Sequence, residues 1–182
     1  MHIVILGAGA IGRVYGAKLS TAHDVVLVAR GAHADAINRD GLRVTGIEER
    51  TYRVRAATSI DALPSDALIV LTTKVSDTYT ACEGVRHLLR ADSTILCVQN
   101  GLYSENLAKS AVGDRSVVLR AITHFGAIFR TPGVVELKVS ASTRTGCATA
   151  MPRTCSTPAL ICGACRSYSA TPTWSLRKFT PI

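Results

Sequence analysis

The segment His2-Ile3-Val4-Ile5-Leu6-Gly7-Ala8-Gly9-Ala10-Ile11-Gly12 decides how the rest of the chain is read. His2–Leu6 is a short run of β-branched and aliphatic residues, which predicts a buried strand, and it ends directly in three glycines spaced G-x-G-x-x-G. Arg13–Leu19 then carries apolar positions suited to a helix packed on a sheet. Asp24–Ala29 reads as a second buried strand. Each glycine has a distinct task in such a unit. Gly7 allows the tight turn, Gly9 lets the backbone approach a pyrophosphate, and Gly12 lets the helix pack close to the strand. With Ala8, Ala10 and Ile11 they place phosphates on the free N–H groups and positive dipole of the helix start. A strand–helix turn without a ligand is the alternative reading of the same string.

The residue that closes the second strand discriminates between the two nicotinamide dinucleotides. An Asp or Glu there accepts from a ribose 2′-hydroxyl and repels a 2′-phosphate. Here the strand closes in Ala29-Arg30-Gly31, with His33 close behind. A guanidinium pairs bidentately with phosphate, so Arg30 points to NADP over NAD. The other reading of Arg30 is a solvated surface arginine. Asp24 begins the strand and cannot take the acidic role.

Farther along, we read a helix at 32–40, strands at Leu42–Thr45, Thr51–Ala56 and Ala67–Thr72, and a helix at Ser76–Leu89. A strand at Thr94–Val98, a helix at Ser104–Ser110 and a strand at Ser116–Ile122 follow. Thr131-Pro132-Gly133 is a turn signal between Gly126–Arg130 and Val134–Val139, which suggests a hairpin. The alternation predicts an α/β fold, a Rossmann-type doubly wound and mostly parallel sheet with both faces covered. Ligands of such sheets bind beyond the carboxyl ends of the strands. Two polar residues fall there: Lys74, after Ile69–Thr73, and Asn100, after Leu96–Gln99. Lys74 can donate to a cofactor or substrate oxygen, and Asn100 can hydrogen-bond a nicotinamide ribose or substrate. Alone, each is equally a solvated lysine and an Asn-Gly turn.

Composition narrows the class. The 182 residues are 47% hydrophobic, 19% charged and 5% aromatic, which suits an Ala/Val/Leu-rich α/β domain. No apolar run approaches the roughly 18 residues of a membrane span, and the N-terminus has no basic signal-peptide region. We therefore expect a cytoplasmic protein without membrane partners. The net charge of +8 resembles a nucleic-acid footprint, but its distribution excludes one. All 13 acidic residues precede position 140. Residues 140–182 hold Arg144, Arg153, Arg166, Arg177 and Lys178, no acid, four of the six prolines and four of the six cysteines.

In order along the chain come the glycine fingerprint, Val28-Ala29-Arg30-Gly31, Thr73-Lys74, Gln99-Asn100-Gly101, Thr123-His124-Phe125-Gly126-Ala127 and Pro132-Gly133. Together they resemble the N-terminal half of ketopantoate reductase (2-dehydropantoate 2-reductase) over about residues 1–138. The resemblance implies an NADPH-binding domain with Lys74 and Asn100 near the nicotinamide and the Thr123–Gly126 loop beside the cofactor. It implies hydride transfer from NADPH to the ketone of 2-dehydropantoate, a small 2-oxoacid, giving pantoate for pantothenate synthesis. In that family a lysine from a helical C-terminal domain is the acid. Beyond Asn100 the lysines here are Lys109, Lys138 and Lys178, none in a matching context, so no catalytic residue is assigned. An NADP-binding module without turnover, and a related Rossmann dehydrogenase for another 2-oxoacid, share the same first domain. Oligomeric state is not legible.

These patterns divide the chain into a Rossmann domain at 1–139 and an irregular tail at 140–182, disordered or frame-shifted. Cys162-Gly163-Ala164-Cys165 with Cys147 and Cys155 makes a zinc site conceivable, but the intervening gaps do not match paired knuckles, and no metal is assigned. A shifted reading frame explains the abrupt change of composition. Translating the gene downstream of codon ~139 should then reveal a lysine-bearing helical domain in another frame. Its absence from every frame would leave a naturally short protein.

Overall fold

The computed structural model describes residues 1–139; the tail expected over 140–182, with its candidate zinc cysteines, lies outside the described residues. Strand β1 (His2–Leu6) is apolar at consecutive positions because both its faces are buried. Ile3 and Ile5 enter one core, with Val25, Leu27, Val14, Tyr15, Val44, Val135 and Leu137. Val4 and Leu6 enter the other, with Ile69, Leu71, Cys82, Val85, Ile95, Cys97, Ala108 and Val112. Helix α1 (Ala10–Leu19) covers the first face, and α3 (Thr78–Val85) and α4 (Ser104–Val112) the second.

The main sheet joins β1 to β2 (Asp24–Val28), β5 (Arg55–Ala57), β6 (Leu68–Leu71), β7 (Thr94–Cys97) and β8 (Val117–Arg120). Its order is β5-β2-β1-β6-β7-β8, and every pairing is parallel. From β1 the chain travels outward through β2 and α2 (Gly31–Asp40) to β5, then crosses back to β6 and continues the other way. The reversal between β1 and β6 is a topological switch point, and it puts the carboxyl ends of these strands beside a crevice. The expected Rossmann-type architecture is therefore present.

Two expectations need correction, and a third gains a detail. Thr51–Ala56 is not one strand: β4 (Arg50–Tyr52) pairs antiparallel with β3 (Leu42–Gly46), while β5 pairs parallel with β2. Arg53 and Val54 turn the chain from one sheet to the other. The amide of Asn38 then fastens β5, donating to the Ala56 carbonyl at 2.8 Å and accepting from its N–H at 2.9 Å. Ser76–Leu89 is not one helix either. α3 is flanked by single 3-10 turns at Val75–Asp77 and Arg86–Leu88, with Gly84 weakening its end. Finally, the hairpin of β9 (Gly126–Thr131) and β10 (Val134–Val139) forms as expected but belongs to a second, four-stranded sheet, β4-β3-β10-β9. An alternating pattern cannot say which sheet a strand joins.

Gly12 is the most tightly enclosed of the described glycines. A β-carbon there would fall on the Gly7 carbonyl oxygen and lie 2.5 Å from Thr72 Oγ1. At Gly9 a β-carbon would meet nothing within 4 Å, and its φ of −69° suits any residue. Gly12→Ala should therefore lower stability by about 1–3 kcal/mol, whereas Gly9→Ala should leave the thermal midpoint within about a degree or two. Paired melting curves of the two variants check this.

Candidate functional site

The turn after β1 is built for something that needs backbone donors. Gly7 sits at φ +107°, and a side chain there would strike Thr73, so both its conformation and its closeness to the end of β6 require glycine. Ala8 N–H donates to the Val28 carbonyl at 3.0 Å, tying the turn to the end of β2. Gly9 is the N-cap of α1 and supplies no side-chain cap, and the first turn holds no acidic residue. The early N–H groups of α1 at Ala10, Ile11 and Gly12 thus point out of the helix without a capping side chain, beside the open space over Gly9. A pyrophosphate fits that combination of bare donors, positive dipole and room.

At the end of β2, Arg30 is exposed, N-caps α2 and makes no ion pair among the described residues. Asp24 lies at the other end of the strand, paired with His2 at 2.9 Å and Arg55 at 3.2 Å. His33, one turn into α2, is half-buried against the Phe129 ring, at 5.1 Å and edge-on.

Lys74 and Asn100 are both exposed at the carboxyl ends of adjacent strands. Gln99 explains why they are presented together. Its amide, buried between the two loops, donates to Thr73 Oγ1 at 3.3 Å and to Thr78 Oγ1 at 2.9 Å. Arg120, at the end of β8, donates to the Gly101 carbonyl at 2.7 Å and steadies the loop just past Asn100. Thr123 caps the same rim, donating to the Val98 carbonyl at 3.1 Å and sharing a 3.0 Å hydrogen bond with the Tyr15 hydroxyl. Gly126 opens β9, opposite Val139, beyond a Phe125 that packs on Tyr15 at 5.4 Å. No hydrogen bond among the described residues joins Gly126 to the glycine turn. The crevice therefore gathers the glycine turn, Lys74 and Asn100 around the β1/β6 ends, with Arg30 at the β2 end.

The residue that sequence reading passed over is Arg13. It is fully buried beneath the glycine turn, and it has no acidic partner among the described residues. Its Nε donates to the Ala8 carbonyl at 3.1 Å, and Nη1 donates to the Thr131 and Val134 carbonyls at 3.0 Å each. Its guanidinium lies 4.4 Å from the centre of the Phe129 ring. Burial lowers its pKa to about 10, so it stays charged at neutral pH. The signal available was an arginine inside an apolar helix with no acid in that helix. Cys82 and Cys97, by contrast, are core thiols that burial pushes up, to about 11 and about 12, favouring the protonated form.

Replacing Arg13 by Met leaves three carbonyls without their donor, and should cost about 1–3 kcal/mol. Amide exchange should rise at the β9–β10 turn, where Arg13 holds the Thr131 and Val134 carbonyls. Unchanged protection there would show that Arg13 is not the clamp.

Comparison with known proteins agrees with this construction. The family model described as ketopantoate reductase PanE/ApbA matches residues 3–150. A 2-dehydropantoate 2-reductase of Pyrococcus abyssi is 39% identical over 137 residues, covering 75% of this chain and 44% of the relative. Among solved structures, the PanE/ApbA family ketopantoate reductase of Ralstonia eutropha superposes with a TM-score of 0.67 at 28% identity, over 75% of this chain and 46% of that one. D-mandelate dehydrogenase with NADH and anilino(oxo)acetate gives 0.69 at 26%, over 77% and 46%. The chain spans less than half the length of these relatives. A glycine turn without a capping side chain at the β1/β6 switch point, with Lys74 and Asn100 at neighbouring strand ends, lies within the matched span, and the chain belongs to the ketopantoate reductase PanE/ApbA family.

Proposed function

We propose that residues 1–139 are the cofactor domain of an NADPH-dependent reductase of 2-dehydropantoate, a cytoplasmic enzyme of small-molecule metabolism acting without nucleic-acid or membrane partners. The observation that carries this is the pairing of an open glycine turn with Arg30, and no acid, at the end of β2. When bound, the cofactor supplies the hydride. The turn from Gly7 to Gly12 holds the pyrophosphate with backbone N–H groups, and Arg30 pairs with the 2′-phosphate. Lys74 and Asn100 donate hydrogen bonds at the mouth, to the nicotinamide ribose or the substrate's oxygens. Reduction of a ketone also requires a proton for the developing alkoxide and cations for the substrate carboxylate. No residue of this chain is assigned the proton, and the chain's share of its relatives' length leaves room for it to come from outside this sequence. A second reading, a dehydrogenase for a different 2-oxoacid, is favoured by the superposition on D-mandelate dehydrogenase.

Fluorescence titration of the purified chain should show NADPH binding tighter than NADH. Arg30→Ala should weaken NADPH about tenfold or more while leaving NADH within about twofold, as expected for a lost charge-assisted phosphate contact. NADPH oxidation should then be followed with 2-dehydropantoate and with an aromatic 2-oxoacid. Binding without oxidation of either marks a cofactor module without turnover, and no binding at all overturns the cofactor reading.

A further inference from the structure

His33 and Arg13 approach one another through Phe129. Arg13 comes from α1 and lies 4.4 Å from the ring centre; His33 comes from α2 and meets the ring edge-on at 5.1 Å. Each carries a buried polar atom without a partner, Nη2 of Arg13 and Nδ1 of His33. Neither ring nitrogen of His33 makes a hydrogen bond among the described residues. His33 also lies one turn along α2 from Arg30, its N–H donating to the Arg30 carbonyl at 2.8 Å. The cluster thus holds two guanidiniums and an imidazole. The charges acting on His33, Arg13 from α1 and Arg30 at the β2–α2 junction, are both positive, and β9 presents only the Phe129 ring. Within it, Nη2 of Arg13 and Nδ1 of His33 are left without a hydrogen-bond partner among the described residues. A phosphate monoester is all acceptor, and near neutral pH it is close to dianionic.

Resting on the reading of Arg30 given above, we propose that His33 is a second reader of the NADPH 2′-phosphate, taking up one proton from solvent when the phosphate arrives. In the free protein, burial and the two arginines hold the imidazole below its ordinary pKa and disfavour its cationic form. Next to a bound dianion the cationic form is favoured. The sign follows from linkage. A group whose pKa is higher in the complex strengthens binding at low pH, and that gain is lost as pH rises through its pKa in the complex. The phosphate's own second ionisation, near 6, runs the other way, because a fuller negative charge binds the arginines better.

The experiment is NADPH and NADH affinity of the full 182-residue chain, and of His33→Gln, between about pH 6 and 8. For the unaltered chain, NADPH affinity should fall at least about threefold across that range while NADH affinity stays flat. In His33→Gln the fall should vanish or reverse, with NADH affinity unchanged as proof of an intact fold. A flat NADPH profile, or one that survives His33→Gln, overturns the role of His33 and leaves the preference for NADPH standing. Equal affinity for NADPH and NADH at every pH overturns the reading of Arg30, and this proposal with it.

Discussion

The crevice at the β1/β6 switch point depends on one close approach, helix α1 lying against the Gly7 carbonyl and Thr72 with no side chain between them. That approach puts the helix axis over the end of β1, aims its dipole into the crevice, and leaves its early N–H groups to whatever enters. A β-carbon at Gly12 would push the helix outward. Shifts of a few tenths of an ångström matter, because interiors are packed as densely as organic crystals and transmit displacement rather than absorb it.

Arg13 works from the other side of the same turn. Interior arginines usually face carboxylates, whereas this one is held by three carbonyl oxygens and an aromatic face. Carbonyl dipoles solvate a cation without cancelling it, so a positive charge persists under the glycine turn. The arrangement joins parts that are far apart in the chain, since Thr131 and Val134 belong to the hairpin of the second sheet. The glycine turn and that hairpin are consequently one mechanical unit, and the second sheet supports the turn although it holds none of its glycines.

Much of this was legible in the residues. His2–Leu6, the three glycines and Asp24–Val28 announced the first strand, turn, helix and second strand, because buried parallel strands read as continuous apolar runs. Position alone puts Lys74 and Asn100 at the carboxyl ends of parallel strands, and both are exposed there on adjacent strands. What was hidden depends on pairing rather than pattern. Nothing local shows that Tyr52 and Ala56 serve different sheets, or that β10 lies beside β3. Arg13 was hidden for a related reason: two of its three carbonyl partners lie about 120 positions away, and a carbonyl has no residue type. Gln99, likewise, reads as the residue that ends the run before Asn100 until its amide is seen joining two loops.

Asn38 has a consequence of a different kind. A sheet in solution invites strands from other molecules onto any rim whose backbone groups are free. On β5 the outward N–H and carbonyl of Ala56 are both occupied by the Asn38 amide, which imitates a neighbouring strand with a single side chain. The large sheet is therefore sealed at that rim against recruitment of a foreign strand. Among the described residues the opposite rim is β8, where Val117 is exposed, and that is the rim left to a further strand.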